Sequence, residues 1–394
     1  MTGSISSTQK MDRLSLAVNA IPPSGIRRFF DMAEKMENVI SLGVGEPDFP
    51  TPWNVREASI ASIERGDTAY TANAGLEPLR IEIAKYMEQI FHVSYDPLSE
   101  IIVTVGASEG LDIAIRAIIN PGDEVIVVEP GFVSYAPIVT LAGGKVIPLK
   151  TKKEHAFKLT KEAVEAAITP RTKAIMISFP NNPTGAVMTK EELLPIAEVI
   201  DDHDLLVISD EIYGELSYDT THYSFSRLPR MKDRTILISG FSKAFAMTGW
   251  RLGFVCAPSD ILSAMLKIHQ YTMMSAPTIA QYGALEALQN GREDVDKMVT
   301  SYRQRRNFIV ESFQEIGLDC HVPGGAFYAF PSIEATGMSS EEFAEALLKE
   351  EQVAVVPGNV FGSGGEGHIR CSYAASLDDL QTAIQRMDRF LNRK

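Results

Sequence analysis

The sequence has few cysteines and no long apolar run. Its 394 residues contain three cysteines, Cys256, Cys320 and Cys371, which are too few and too scattered for a disulfide framework. They form no C-x-x-C pair, so a zinc ribbon is excluded. No uninterrupted run of about 18 apolar residues occurs, and the polar N-terminal segment lacks the apolar core of a signal peptide. We therefore expect a cytoplasmic protein that neither spans nor binds a membrane.

Basic residues are also in deficit. Lysine and arginine total 37 against 51 acidic residues, which gives a net charge of −14. Affinity for the phosphates of nucleic acids and for anionic membranes comes from basic side chains. The charge balance therefore argues against a nucleic-acid partner and against docking to a membrane surface.

The remaining composition is that of a globular chain, with 45% hydrophobic and 22% charged residues. From the middle of the chain, short β-branched runs alternate with helical stretches. Apolar strands with little polar alternation indicate a sheet that is covered on both faces. The pattern predicts an α/β domain with a mostly parallel, seven-stranded sheet covered by helices. The seven runs are 101–105, 124–128, 145–149, 173–178, 205–209, 235–239 and 252–256.

The last part of the chain has a different pattern. Helices are predicted at 294–316, 340–351 and 376–391, with short strand segments between them. Such a mixture suggests a smaller α+β lobe. A predicted helix at 25–36 has no strand of its own to pack on, so we expect it to join this lobe. The predicted limits are a tail at 1–12, a small domain of 13–44 together with 286–394, and a large domain of 45–285.

Four polar segments follow predicted strands at their C-terminal ends. Taken singly, each has an ordinary explanation, as a common helix start, a turn, a helix N-cap or a solvated loop lysine. Together they are harder to explain, because the C-terminal edge of an open α/β sheet is where ligands bind. The segments are Gly106–Gly110, Asn181–Gly185, Ser209–Tyr213 and Gly240–Gly253.

The residue types in these segments match one kind of chemistry. A lysine such as Lys243, at the end of a parallel strand and flanked by small residues, can form a Schiff base with an aldehyde. An acid, a tyrosine, an asparagine, an arginine and a helix N-terminus complete the set that a pyridoxal 5′-phosphate site requires. The four segments therefore predict a site for this cofactor.

Two other patterns carry no such prediction. Gly362–Gly367 matches G-x-G-x-x-G, but it precedes a strand instead of opening a helix, so the dinucleotide interpretation fails. Asp201–Asp204, which contains His203, lies between a helix and a strand and indicates a solvated turn. We expect no metal site.

The segments also give the chain a resemblance to the class I/II aminotransferases of fold type I, over residues 20–390. The blocks SLGVGEPDFPTP, AYTANAGLEPLR, PGFVSYAP and HIRCSYAAS are similar to that family, and most similar to its prokaryotic aspartate and aromatic aminotransferase group. The resemblance implies a large domain with the seven-stranded sheet and a smaller α+β domain. It implies transfer of the α-amino group of an L-amino acid, aromatic, aspartate or similar, to a 2-oxo acid. The expected acceptor is 2-oxoglutarate, and the expected route is a Lys243 aldimine and pyridoxamine phosphate.

By the same resemblance, five residues surround the cofactor ring. Lys243 would hold the cofactor and act as the general base, and Asp210 would keep the pyridine nitrogen protonated. Tyr213 and Asn182 would hydrogen-bond the ring oxygen O3′, with Asn182 also beside the substrate. Phe132 would stack on the ring face.

The resemblance assigns a second group to the cofactor phosphate. Arg251 would bind it together with the backbone N–H groups of Ala107 and Ser108. Tyr70 matches a tyrosine that reaches the phosphate of the neighbouring subunit. The implied assembly is a homodimer whose active site is shared between the subunits.

Two further residues would bind the substrate, and one position departs from the family pattern. Arg370 would form a bidentate pair with the α-carboxylate, and Gly45 would allow a close approach of the backbone. Many members carry a serine three residues before the lysine, where this chain has Gly240. Ser242, or else Ser239, would supply the missing hydroxyl.

Two other classes of protein share parts of these patterns. A lyase on the same fold, such as an aminocyclopropane-carboxylate synthase or a carbon–sulfur lyase, would use the same cofactor residues. A transcription regulator with an aminotransferase-like domain would carry a DNA-binding domain ahead of it. We disfavour that class because the resemblance begins near Gly25 and the charge is wrong for DNA. The preferred amino donor stays open.

Overall fold

The computed structural model describes residues 13–23, 25, 32 and 36–393. The predicted tail at 1–12 and most of the predicted helix at 25–36 lie outside the described residues. The described α-helices are Leu16–Asn19 (α1), Trp53–Glu64 (α2), Glu77–Tyr86 (α3), Gly106–Ile118 (α4), Tyr135–Leu141 (α5), Lys161–Ala167 (α6), Lys190–Asp202 (α7), Ser259–Thr272 (α8), Thr278–Asn290 (α9), Arg292–Glu315 (α10), Ser340–Glu351 (α11) and Leu377–Asn392 (α12). The described strands are Ile40–Ser41 (β1), Ile101–Thr104 (β2), Glu124–Glu129 (β3), Lys145–Lys150 (β4), Thr172–Ser178 (β5), Leu206–Asp210 (β6), Thr235–Gly240 (β7), Gly253–Cys256 (β8), Tyr328–Ala329 (β9), Val353–Ala354 (β10), Val356–Pro357 (β11) and Ile369–Ser372 (β12).

Seven of the described strands, β2 to β8, form one sheet with the order β2-β8-β7-β6-β5-β3-β4. The pairs from β7 to β4 are parallel, whereas β8 is antiparallel to both β2 and β7. The predicted α/β fold with a mostly parallel, seven-stranded sheet is confirmed. Because β8 reverses direction between them, β2 and β7 point the same way. The carboxyl ends of β2, β5, β6 and β7 therefore meet at one edge of the sheet.

Helices cover this sheet on both faces, which explains the continuous apolar runs. Successive residues of β5 face opposite cores: Ile175 packs with residues of α6 and α7, and Met176 packs with residues of α4 and α8. The inner strands β7 and β8 are buried throughout. The edge strand β4 is less buried: Lys145, Pro148 and Lys150 are exposed and Leu149 is buried.

A second group of elements packs beside the sheet. β11, β12 and β9 form an antiparallel sheet, and β1 pairs in parallel with β10. Helices α10, α11 and α12 share a core that includes Tyr302, Phe343 and Phe390, and Met32 and Ile40 pack against it. The predicted domain limits stay a prediction; α9 runs continuously across the limit at 285–286.

The Asp201–Asp204 segment forms a turn at the end of α7 in which Asp202, His203 and Asp204 are exposed, as the sequence predicts. Asp201, in the last turn of α7, is mostly buried, and it forms ion pairs with Arg230 and, at 3.1 Å, with Arg234. Asp204 also contacts Arg234, at 3.0 Å, but its side chain is exposed. The segment is therefore an ion-paired turn. The described residues contain no group of three or more potential ligands that could hold a metal ion, and no described helix is long and apolar enough to cross a membrane.

Two histidines lie in an aromatic cluster beside the smaller sheet. The His321 and His368 rings lie 5.3 and 5.4 Å from the ring of Phe157, and His368 stacks on Phe330 at 5.0 Å. Both ring nitrogens of His321 are buried. Burial lowers the pKa of His321 to about 4, and it lowers the pKa of His368 as well. Protonation of either ring therefore works against the folded state.

We expect this burial to make the protein acid-labile. Between pH 6.5 and pH 4 the unfolded chain protonates His321 and the folded chain does not, so the free energy of unfolding falls as the pH falls through this window. From pH 7 to pH 5 the loss due to His321 should be about 2 kcal/mol. Urea unfolding of the wild type and of His321→Phe at both pH values measures this loss in the free energy of unfolding. The exposed His155→Gln is the control, and equal acid losses in all three proteins would contradict the assignment.

Candidate functional site

A cavity of about 330 Å³ opens at the carboxyl edge of the central sheet. It is bounded by the ends of β5, β6 and β7 and by the start of α4, with β9 and β12 on the other side. The structure brings together at this cavity every predicted site residue except Tyr70. These residues are Gly45, Ala107, Ser108, Phe132, Asn182, Asp210, Tyr213, Ser242, Lys243, Arg251 and Arg370.

Lys243 follows β7 and is desolvated. Its Nζ donates a hydrogen bond to the carbonyl oxygen of Gly45 at 2.5 Å, and it lies 5.8 Å from the ring centres of Tyr213 and Phe327. Burial, and next the charge of Arg370, lower the pKa of Lys243 to about 8. Near neutral pH a useful fraction of this amine is therefore unprotonated and nucleophilic.

Asp210 is the last residue of β6 and is 5% exposed. Its Oδ2 accepts a hydrogen bond from the hydroxyl of Tyr135 at 2.7 Å, and its Oδ1 accepts one from the N–H of Ile212 at 3.2 Å. Burial raises the pKa of Asp210 to about 6, while the hydrogen bond from Tyr135 acts in the opposite direction. A buried carboxyl of this kind is best satisfied by a cationic partner.

The corner of the cavity between the start of α4 and Arg251 can bind an anion. Helix α4 begins at Gly106, whose φ of +72° is one that L side chains rarely adopt, and its first N–H groups have no intrahelical partner. A Cβ at Gly106 would lie 2.6 Å from Nη2 of Arg251, so only glycine lets the guanidinium lie against the helix start. A helix N-terminus beside an arginine is a suitable site for a phosphate group.

The departure at Gly240 has a steric cause. Gly240 pairs with Gly253 between β7 and β8, and a Cβ at Gly240 would lie 2.8 Å from the Cα of Gly253. A serine would therefore require the two strands to separate. The hydroxyl of Ser239 donates to the carbonyl oxygen of Glu211 at 3.4 Å, whereas Ser242 lines the cavity. Of the two serines considered, Ser242 is the one within reach of a ligand there.

Arg370 lies on β12, on the side of the cavity opposite the sheet, and is 3% exposed. Its Nη1 donates to Oδ1 of Asn182 at 2.9 Å and its Nη2 donates to the carbonyl oxygen of Gly43 at 2.6 Å. Its Nε is buried and has no partner among the described residues. The guanidinium also lies 4.4 Å from the ring centre of Tyr328. A buried guanidinium with an unpartnered N–H group can donate hydrogen bonds to the carboxylate of a ligand.

Two tyrosines at the site, Tyr135 and Tyr328, were not predicted from the sequence. Tyr135 donates to Asp210, and the hydroxyls of Tyr328 and Tyr213 lie 2.7 Å apart. Tyr135 belongs to the block PGFVSYAP, which also contains the predicted site residue Phe132, so the block itself pointed to this part of the chain. Tyr328 lies in GAFYAF, where only its pairing with β12 brings it beside Arg370. The sequence offered no comparable signal for that contact.

Tyr70 is the predicted site residue that the chain does not bring to its own cavity. Its side chain is 80% exposed and it does not line the cavity. The segment around it is nevertheless fixed: Thr278 donates to the carbonyl oxygen of Ala69 at 2.8 Å, and Asn73 donates to that of Met274 at 2.6 Å. In the described structure Tyr70 therefore makes no contribution to the cavity of its own chain.

The donor set of the cavity fits pyridoxal phosphate. A buried lysine can bond to its aldehyde, a buried carboxyl can pair with its ring nitrogen, and the corner at Gly106 and Arg251 can take its phosphate. The resemblance implies these same contacts.

Comparisons with known proteins point to the same family. The model of the family "Aminotransferase class I and II" matches residues 37–387. The chain is 63% identical over 380 residues to the Bacillus subtilis protein YugH, covering 96% of this chain and 98% of the relative. It is 45% identical over 386 residues to the aspartate aminotransferase of Pyrococcus abyssi, covering 97% and 98%. The crystal structure of the aromatic aminotransferase from Pyrococcus horikoshii has a TM-score of 0.89 and 44% identity, covering 93% of this chain and 99% of that one.

These matches span nearly all of the sequence that carries the resemblance. They confirm the resemblance to the aspartate and aromatic aminotransferases, and the fold type I architecture is that of the structural relatives. The chain therefore belongs to the class I and II aminotransferases and is a transaminase that depends on pyridoxal phosphate.

Proposed function

We propose that this aminotransferase moves the α-amino group of an aromatic amino acid, of aspartate or of a similar L-amino acid to a 2-oxo acid. We expect 2-oxoglutarate to be the acceptor. The observation that supports the proposal is the convergence of Lys243, Asp210 and Arg370 on one cavity. Pyridoxal phosphate supplies the electron sink that stabilises the charge left when the Cα–H bond breaks. The protein supplies binding, orientation and proton transfer.

In this proposal Lys243 carries the proton. Its pKa of about 8 would let it accept the proton from Cα and deliver it to C4′ of the cofactor, since a general base works best when its pKa is near the ambient pH. The carbonyl oxygen of Gly45, 2.5 Å from Nζ, orients the amine. Asp210 would hold a proton on the ring nitrogen, and the hydrogen bond from Tyr135 fixes Asp210 in place. Tyr213 and Asn182 would hydrogen-bond the ring oxygen.

Substrate binding rests on Arg370. Its free Nε and its two Nη groups form a fork that can take the α-carboxylate, and Asn182 supports the fork through Oδ1 at 2.9 Å. The cationic residues that line the cavity are Lys243, Arg251 and Arg370. Each already has a role, so a side-chain carboxylate, as in aspartate, needs a further cation from the neighbouring subunit. An aromatic side chain needs no such cation, and the ring of Tyr328 lines the cavity beside Arg370.

The function is tested with a panel of amino donors against 2-oxoglutarate. We expect stoichiometric conversion of donor to oxo acid and of acceptor to glutamate, without release of ammonia. Lys243→Ala should lose more than about 1,000-fold in kcat, because the substitution removes both the attachment point of the cofactor and the general base.

Reduction of the wild-type enzyme with borohydride should fix the cofactor covalently to Lys243, and peptide mapping identifies the labelled residue. Ammonia release would favour a lyase, and labelling of another lysine would overturn the role of Lys243.

Tyr135→Phe tests the support of Asp210. The lost hydrogen bond had lowered the pKa of Asp210, so in the apoprotein this pKa should rise above its value of about 6. Carboxyl NMR of the protein labelled at aspartate measures it, with Asp210→Asn to assign the resonance and the exposed Tyr271→Phe as the control. In the loaded enzyme the acid limb of kcat/KM should move to higher pH, since Asp210 must stay ionised. An unchanged Asp210 titration would refute the coupling.

We also propose a homodimer in which Tyr70 reaches the neighbour's cofactor phosphate. Arg370 then serves its own site and Tyr70 the other one. Arg370→Ala and Tyr70→Ala should each be nearly inactive alone, but half of the dimers formed on equal mixing should be mixed. Each mixed dimer carries one intact site, so about one quarter of the wild-type activity should return. No recovery, with subunit exchange verified by native mass spectrometry, would reject the shared site.

A further inference from the structure

A buried carboxylate and a buried histidine lie directly behind the start of α4. Glu109, in the first turn of this helix, is 8% exposed, and His269, in the last turn of α8, is fully buried. Oε1 of Glu109 and Nδ1 of His269 are 2.6 Å apart. Oε2 of Glu109 accepts a hydrogen bond from the N–H of Val105 at 2.5 Å. The proposed chemistry uses neither side chain.

The start of α4 differs from an ordinary helix cap. In a capping box, the side chain of the N-cap residue accepts a hydrogen bond from an N–H in the first turn. In return, a glutamate of the first turn accepts one from the N–H of the N-cap residue. Here the N-cap residue is Val105, whose side chain has no acceptor, so only the second of these hydrogen bonds is formed, with Glu109. The N–H groups of Ala107 and Ser108 are thus left available to a ligand, while the strand-to-helix turn is still fixed.

The imidazole ring of His269 has one polar contact in the described structure. Its Nε2 is buried without a partner, so its contact through Nδ1 with Glu109 is its polar connection to the rest of the fold. A carboxylate only accepts, so the imidazole donates. This hydrogen bond fixes the second oxygen of Glu109 in addition to the one that Val105 fixes. Both oxygens of an acidic side chain near an anion site are thereby occupied by donors.

We propose that the Glu109–His269 pair positions the phosphate-binding turn, so that the N–H groups of Ala107 and Ser108 point at the cofactor phosphate. Neither side chain touches the cofactor; they act through Val105 and Gly106. The inference rests on the proposed assignment of this corner to the phosphate. Its alternative is that the pair only joins α8 to α4, in which case its loss affects folding but not phosphate recognition.

The test compares cofactor forms with and without the phosphate. Dissociation constants for pyridoxal phosphate and for pyridoxal are measured on apoprotein by absorbance or fluorescence titration. His269→Leu should weaken pyridoxal phosphate by about tenfold or more and change pyridoxal by less than about twofold. His269→Asn keeps a donor near the position of Nδ1 and should restore most of the difference. Equal weakening of both ligands would mean that the pair is only structural and would overturn the proposal.

Two further variants separate the possible failures. Arg251→Gln should lower the preference for the phosphorylated form whatever His269 does; if it does not, the phosphate assignment itself is wrong. If Arg251→Gln lowers the preference and His269→Leu does not, the inference about the pair alone is wrong. Should His269→Leu fail to fold, Glu109→Met keeps about the size of the side chain and removes both acceptor oxygens. The same selective loss is expected there, and an unchanged ratio between the two ligands would reject the proposal.

Discussion

The proposed chemistry depends on charged groups that are held out of water at one edge of the sheet. Removing Lys243 from water lowers its pKa toward neutrality, and removing Asp210 raises its pKa, both because burial disfavours the charged form. The same cavity holds Arg370, whose charge adds to the effect on the lysine. If these groups were exposed to water, the amine would stay protonated near neutral pH, and water would solvate the carboxylate in place of a cationic partner.

The sheet makes this burial possible. Parallel strands covered on both faces end together, so residues as distant in sequence as Asn182, Asp210 and Lys243 meet without long loops. The smaller antiparallel sheet closes the cavity from the other side with Arg370 on β12 and Tyr328 on β9. In the proposed function, the residues for the cofactor therefore lie at the edge of the large sheet, and the arginine for the substrate lies on the smaller one.

Much of this arrangement could be predicted from the sequence. The seven strands are short apolar runs with clear turn signals, and the polar segments follow strands whose ends share an edge. Contacts that depend on register could not be predicted: Tyr328 meets Arg370 because β9 pairs with β12, and Tyr135 meets Asp210 across 75 positions of sequence. The order of the strands, with β8 reversed between β2 and β7, was likewise beyond reach of the pattern. The proposed role of Tyr70 depends on a second copy of the chain, which a single sequence does not describe.

The stacked glycines have a consequence for how this protein can change. Gly240 lies against Gly253, and a Cβ at Gly253 would in turn lie 2.6 Å from the backbone nitrogen of Ala107. The ends of two consecutive strands and the start of α4 thus touch through bare backbone, with no side chain between them to absorb a change. A substitution at one of these positions displaces the next, so a variant with serine at position 240 would need compensating changes in β8 and in the turn before α4. The absence of that hydroxyl is therefore a property of all three segments together.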